Sequence, residues 1–426
     1  MNRYTKDQSP VFIAIDIAKE QHVALIETPD GRRTKLIVAN SRDGIDRFIA
    51  GAQALSYPCE VAFEATGDYH RPIAFAMLQA GFRLHFVSSI ATNRTREALY
   101  NTWDKNDPKD AQVILSLLKA GHTQIYHDPL EHGHHDLQEL ANTYQQISKR
   151  RTRVYHSILT HYLPLYFPEA ERFITNGRAE WFIEVLRRTP SPSAVLAMSK
   201  TAFVRKSLTK SGKPTIRQRL LEEFYDIAKT SIGLPVKADS PSVEMFRTIL
   251  DEFVELAQRR RRIKALIDRV LANNRDYERL TRVPGIGSVI ALIVLAEAGD
   301  LRRFDNYKKF LKFCGLNLSA SQSGKTAGTP ALSKRGNARL RYAFWLAATS
   351  AIRQRQNGFA EKYRRYIATD PDSRDLRRKA YTAVAAKMAR VVHGLIRSGN
   401  DYRHLYEAAQ GGRIPSPRAV EAFATS

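Results

Sequence analysis

The chain has 426 residues, 43% of them hydrophobic and 26% charged, so it is too long for one ordinary core and points to two or three folded domains. A net charge of +24 and an isoelectric point near 10.0 argue for a polyanionic partner, nucleic acid ahead of a membrane surface, since no apolar run reaches the ~18 residues of a spanning helix. The apolar stretch near the start is too short for a secretory signal, and the isolated Cys59 and Cys314 exclude a disulfide framework or a cysteine zinc site, which fits core cysteines in a reducing cytoplasm.

VFIAIDIA, residues 11–18, is a continuous apolar run broken by one acid, the pattern of a buried strand. HVALIETP and TKLIVAN follow, with Asp30-Gly31 in a turn, and predict an antiparallel three-stranded meander. A helix, GIDRFIAGAQAL, carries Ile45, Phe48, Ile49 and Ala52 on one face, and after it come a strand, EVAFEA, a helix, RPIAFAMLQA, and a strand, RLHFVSS. That order is the α/β order of a ribonuclease-H-like fold. Helices covering both sheet faces leave no room for an unpartnered ionised carboxylate, whose burial costs several kcal/mol. Asp16 and Glu64 must therefore stand at strand ends or meet cations.

Lys105-Asn106-Asp107-Pro108-Lys109-Asp110-Ala111 then places two carboxylates three positions apart at the start of an apolar helical run, on one helix face. Capping alone accounts for them: Asp107 as N-cap, Pro108 at the first position, Asp110 in the first turn. If they join Asp16 and Glu64 at one sheet edge, four carboxylates repel unless a divalent cation neutralises them. Hard oxygen donors select Mg2+, with Mn2+ as the alternative, and such ions serve phosphodiester chemistry. Asp68 and Asp104 are second-choice ligands.

From about residue 129 the composition turns to long helices. LQELANTYQQISKRRTRVYHSILTHYL is amphipathic and is expected to end before Pro164, with His132, His134 and His135 in a solvated loop ahead of it. Residues 164–240 read as short basic helices without a functional signal. A second long helix, Ser242 to Asn274, has an apolar stripe of Phe246, Leu250, Phe253, Ala257, Ile263, Ile267 and Val270, and the two long helices are expected to pair as a coiled coil within or between chains. Arg259, Arg260, Arg261 and Arg262 form a solvated face or contact phosphate, and the charge surplus favours phosphate.

In RVPGIG, the glycines Gly285 and Gly287 give either a plain turn or a close backbone approach to phosphate, as in helix-hairpin-helix DNA binders. FDNYKKFLKFCGLNL predicts a helix stopped at Gly315. SASQSGKTAGTPALSKRGNARLR reads as a flexible cationic loop for phosphate, with Lys325, Lys334, Arg335, Arg339 and Arg341. It holds Ser319, Ser321, Ser323 and Ser333, none with a histidine or carboxylate base beside it. RKAYTAVAAKMARVVHGLIRSG closes the folded part as a helix packing through Val384, Met388, Val391 and Leu395.

AIDIAK, AFEATGDYH, KNDPKDA, RVPGIG, GLNLSASQSGK and SKRGNARLR, in this order, resemble the DEDD transposases of the insertion-sequence 110 family over nearly the whole chain. The resemblance implies a RuvC-like domain at 1–128 whose metal-binding tetrad falls on Asp16, Glu64, Asp107 and Asp110 with Mg2+. It implies a helical coiled-coil middle with an inserted segment at 129–275, a C-terminal helical transposase domain with a helix-hairpin-helix-like motif at 276–412, and a tail at 413–426. The nucleophilic serine of the Gln-Ser-Gly motif falls on Ser323, with Ser321 as fallback. Also implied are donor and target DNA, a noncoding guide RNA (the bridge RNA), and a homo-oligomer, dimer or tetramer, with composite active sites. The expected setting is a bacterial cytoplasm, at the nucleoid when active. The alternatives are a RuvC-like metal-dependent Holliday-junction endonuclease and a non-catalytic nucleic-acid architectural protein.

Overall fold

The computed structural model describes residues 9–65, 67–100, 107–131, 133–174, 179–208, 214–319, 322–323, 326–327, 331–354 and 357–402. The chain divides into two compact units, Met1–His134 and His135–Ser426.

In the N-terminal unit the apolar runs become β1 (Val11–Asp16), β2 (Gln21–Glu27) and β3 (Arg33–Ala39), followed by α1 (Arg42–Gln53), β4 (Cys59–Glu64), α2 (His70–Gln79) and β5 (Arg83–Val87). Then come α3 (Ser89–Tyr100), α4 (Asp107–Lys119) and the two-residue β6 (Gln124–Ile125). The sheet order is β3-β2-β1-β4-β5-β6. β1, β2 and β3 pair antiparallel, whereas β4 runs parallel to β1 and β5 parallel to β4. The first five strands thus have the order and polarity of a ribonuclease-H-like sheet. Helix α3 and strand β6 extend the expected order; both are weakly apolar and gave no clear periodicity.

His22 and His70 are buried in this unit, His70 donating from Nδ1 to the Gly67 carbonyl at 3.1 Å and stacking on Phe63. Burial pushes both imidazoles below the ordinary 6.5. The fold therefore favours the neutral forms, and their contribution is present above the ordinary pKa and lost as pH falls through the depressed folded values. Thermal melts of the full chain are expected to show a first transition that moves down between pH 7 and pH 5. A transition indifferent to pH across that window would refute the assignment.

The C-terminal unit opens with α5 (His135–Ser157), which passes through a π-helical turn, Ile158–Tyr162, into α6 (Leu163–Tyr166). The helix does not end before Pro164, as the proline rule predicts. The wider π turn shifts the hydrogen-bond register, and Pro164 enters a fresh first turn where its missing N–H is not needed. A 3-10 turn at Pro168–Ala170 and the helices α7 (Glu171–Ile174), α8 (Ala179–Arg188), α9 (Pro192–Leu196), α10 (Lys200–Ser207) and α11 (Pro214–Ala228) follow, then the long α12 (Pro241–Val270). These short helices are not featureless: they enclose an aromatic core in which Phe224 meets Phe167 at 4.6 Å, Phe182 at 4.9 Å and Phe173 at 5.2 Å between centroids. Phe246, Leu250 and Phe253 of α12 close that core. Val270, expected in the apolar stripe, is exposed.

The two long helices pair within the chain. Tyr144 meets Arg260, Arg150 meets Glu252 and the following turn's Tyr162 stacks on Phe246, so numbers rise on one helix as they fall on the other and the pair is antiparallel. A second core joins α5 and α12 to α13 (Arg275–Thr281), α14 (Ser288–Ala298), α15 (Tyr307–Cys314), α16 (Ala338–Ala351), α17 (Gly358–Ile367) and α18 (Arg374–Ser398). Helix α15 stops at Gly315 in the left-handed conformation, as expected from FCGLN. Both cysteines are free, and Cys314 is fully buried with its thiol pushed upward by that burial.

Candidate active site

Alternation along the strands sorts the sheet residues into two layers. Ile13, Ile15, Val61 and Phe63 pack in the layer with Ile45 and Phe48 of α1 and Ile73 and Met77 of α2. Ala14 and Ala62 pack in the other layer, beneath Ala111, Ile114, Leu115 and Leu118 of α4. The next residues on the α4 face are Asp16 and Glu64, the last of β1 and β4. Ile15 stands opposite Phe63 in the parallel register, so the two acids follow as neighbours on adjoining strands, about 4.8 Å apart in strand spacing. Both are half-buried, as strand-end carboxylates reaching water must be.

Helix α4 runs against β1. Its last-turn Lys119 is ion-paired with Glu27, which stands opposite Phe12 near the start of β1. From Lys119 back to Asp110 the helix rises about 13 Å, and from Phe12 to Asp16 the strand advances about 13 Å. The first turn of α4 is therefore level with Asp16 and Glu64. The small side chains of Ala14 and Ala62 let the helix lie close over that face.

Asp110 is 5% exposed and already holds a cation: Arg96 of α3 reaches its Oδ1 with Nε at 2.9 Å and Nη2 at 2.5 Å, while also bonding Asn93 at 2.9 Å. Arg96 was not legible in the sequence, because nothing in RTREALY distinguishes it from any helix-surface arginine. Asp107 begins α4 at the backbone level; its side chain, with Asp104, lies outside the described residues. Among the described residues no cluster of three or more His, Cys, Asp or Glu side chains is close enough to hold a metal. The donor chemistry nevertheless fits a hard divalent ion: carboxylate oxygens converge from two strand ends, and the carboxylate on the helix is one that already requires positive charge. Arg96→Met is expected to lower stability by about 3 kcal/mol in chelator, because it strands a buried carboxylate. Added Mg2+ or Mn2+ is expected to return part of the loss, read as a shift in melting temperature; an unchanged melt in chelator would show that the pair carries no stability.

In the C-terminal unit the described residues of the serine-bearing stretch, expected from its composition to be a flexible loop, form a hairpin of two short antiparallel pairs. Strand β7 (Leu318–Ser319) pairs with β10 (Ala331–Leu332), and β8 (Gln322–Ser323) pairs with β9 (Thr326–Ala327), all antiparallel. Ser323 stands opposite Thr326, the last pair before residues 324–325, so its backbone is at the end of the hairpin. Ser321 and Lys325 lie outside the described residues.

The cationic residues divide. Arg259 pairs with Glu255 one turn back on its own helix, whereas Arg261 pairs with Glu180 of α8 and Arg260 bonds the Tyr144 hydroxyl of α5 at 2.7 Å, so two of the run serve helix–helix ties while Arg262 is exposed. Arg339 is paired with Glu297 at 2.7 Å. Arg341 bonds the Lys334 carbonyl at 3.0 Å, and Lys334 and Arg335 are exposed beside it. In the α13–α14 turn Gly285 faces the backbone of α16, whereas Gly287, which caps α14, is exposed with open space around it.

Sheet order and edge acids together put the N-terminal unit in the ribonuclease-H-like class. Two family models match the chain: one described as "Transposase", of the DEDD type of IS110 elements, over residues 13–168, and one described as "Transposase IS116/IS110/IS902 family" over residues 277–364. The chain is 23% identical over 404 residues to an "Insertion element IS110 uncharacterized 43.6 kDa protein" of Streptomyces coelicolor, covering 92% of this chain and 95% of that one. It is 27% identical over 187 residues to the "Transposase for insertion sequence element IS1111A" of Coxiella burnetii, covering 43% of this chain and 50% of that one. A Thermus thermophilus RuvC chain, solved with a Holliday-junction substrate, aligns with 28% of this chain and 100% of its own at 10% identity and a TM-score of 0.21. The chain belongs to the IS110 family of DEDD transposases.

Proposed function

We propose that this protein is the recombinase of an insertion sequence: it cuts and rejoins DNA with divalent metal held by Asp16, Glu64, Asp107 and Asp110, and with Ser323 as nucleophile. The observation that carries the reading is the pairing of Asp16 with Glu64 on one face and one edge of the sheet, level with the first turn of α4. When bound, the divalent ion supplies Lewis-acid polarisation of the scissile phosphate.

The chain's own residues do the rest. The strand-end acids and Asp110 would hold the cation, and Arg96 orients the Asp110 carboxylate through its two bonds to Oδ1. The Ser323 hydroxyl attacks the DNA phosphate, forming a transient phosphoserine linkage as the P–O bond to the leaving DNA oxygen breaks and that oxygen takes up a proton; at rejoining, a hydroxyl of the partner DNA strand attacks the phosphoserine and frees the serine. The serine hairpin has no base of its own, which is consistent with acids of one subunit acting with the serine of another in an oligomer. The exposed Lys334, Arg335 and Arg262 engage phosphate, and a noncoding guide RNA shares the cationic surface with donor and target DNA.

The test is incubation of the purified full chain with donor and target plasmids and Mg2+, followed by denaturing gels and sequencing of co-purified RNA. Expected are joined products, DNA covalently linked to protein, and an RNA encoded beside the protein's own gene. Cleavage of four-way junctions with no protein-linked DNA would overturn the serine mechanism in favour of hydrolysis by water.

A further inference from the structure

On α16 the inward face is fully buried: Leu340, Ala343, Phe344, Ala347 and Ala351 all belong to the core. The outward face carries two large aromatic side chains that the fold does not need. Tyr342 is 55% exposed and Trp345 40% exposed, with ring planes 12° apart and centroids 6.2 Å apart. Tyr381 of α18 continues the row, 6.0 Å from Trp345. Beside these rings runs a groove of about 450 Å³, floored by small residues, Ala338, Thr382 and Ala385, and walled by Leu332 and Arg341.

Three facts say what covers it. The first is charge: Arg341 lines the groove with the rings and bonds the carbonyl of the exposed Lys334, next to the exposed Arg335, and none of these three cations has a carboxylate partner among the described residues. A protein ligand with an apolar face would leave those cations uncompensated, whereas a nucleic-acid strand supplies a phosphate per base. The second is shape. Near-parallel exposed rings offer flat faces to stacking, which every nucleobase provides and which a base-paired duplex withholds. The third is continuity: Leu332, which walls the groove, is the β10 residue that pairs with Leu318 at the base of the Ser323 hairpin.

We propose that Tyr342 and Trp345, with Arg341 and Lys334 beside them, form a stacking platform for unpaired bases of the DNA strand that enters the serine hairpin. The platform holds the strand open next to the site of exchange. The inference rests on the recombinase reading of Ser323 and adds the state of the DNA, locally unpaired, that the C-terminal unit grips.

The test is fluorescence anisotropy of the full chain with labelled twelve-nucleotide oligo-dT, the matching duplex, and oligo-U. Trp345→Leu and Tyr342→Leu are each expected to weaken oligo-dT binding by about tenfold or more while duplex binding changes by less than about twofold, and Trp345→Phe is expected to keep most of the affinity. Both side chains lie outside the core, and unchanged melting temperatures confirm that the variants are folded. Unaltered oligo-dT binding in both leucine variants, or equal losses on duplex, would overturn the platform. Oligo-U binding tenfold tighter than oligo-dT would overturn its assignment to DNA. Recombination by Ser323→Ala separates the two readings: unaltered oligo-dT binding in the leucine variants counts against this inference alone, and recombination persisting in Ser323→Ala counts against the recombinase chemistry alone.

Discussion

Ser323→Ala is expected to reduce recombination between donor and target plasmids by about a thousandfold or more, because removing a nucleophile leaves only binding and electrostatics. The same variant is expected to bind duplex DNA within about twofold of wild type. Protein-linked DNA should vanish from denaturing gels. Ser321→Ala, two positions away, is expected to recombine normally, and the reverse pattern would move the nucleophile to Ser321. Asp16→Asn is expected to fail equally for a different reason, losing a metal donor at the strand end while leaving the hairpin intact. Recombination at wild-type level by Ser323→Ala would end the serine mechanism.

A large loss of stability is expected from Gly285→Ala. Gly285 has φ +88, and a Cβ there would stand 2.2 Å from the Ala347 carbonyl oxygen and 2.8 Å from the Ala351 nitrogen. Both contacts are helix backbone of α16, which cannot move aside as a side-chain tip would. Left-handed strain and the overlap together are expected to cost about 3 kcal/mol, lowering the melting temperature by roughly 8 °C. Gly287→Ala is the control, since nothing lies within 4 Å of its Cβ position and its φ is −95. That variant is expected to melt within about a degree of wild type, and a weaker grip on duplex DNA in it alone would identify the α14 start as a phosphate contact. If Gly285→Ala melts like wild type, the turn is not wedged against α16 in solution.

The two glycines of one motif illustrate how far the sequence could be read. PGIG was ambiguous between a turn and a phosphate-approach motif, and only the distance to α16 separates the glycine that packing requires from the one that is open. The same holds for the arginine run at 259–262. As a string it is four equal cations, yet helix pairing commits Arg260 and Arg261 to Tyr144 and Glu180, while Arg259 pairs with Glu255 on its own helix. The short helices between Pro164 and Ser240 carried no functional signal, because an aromatic core built from single phenylalanines on many short elements has no periodicity to detect.

The N-terminal strands were legible because each is a run of apolar residues bounded by turn chemistry, and their order alone defines the sheet. Asp16 and Glu64 were visible for the same physical reason: an acid inside an apolar run is conspicuous, since burial without a partner is costly. What the tertiary structure decided is where those acids meet other charge. Strand register makes Asp16 and Glu64 neighbours. The antiparallel run of α4 brings Asp110 to their level, and a helix with no distinctive pattern delivers Arg96 to it. Tertiary folding likewise paired short strands within a glycine- and serine-rich stretch, and left Tyr342 and Trp345 on the exposed face of a helix whose other face is core. Local sequence fixes periodicity and local turns; a contact across fourteen or more residues depends on register and on packing direction, and neither is written in any one segment.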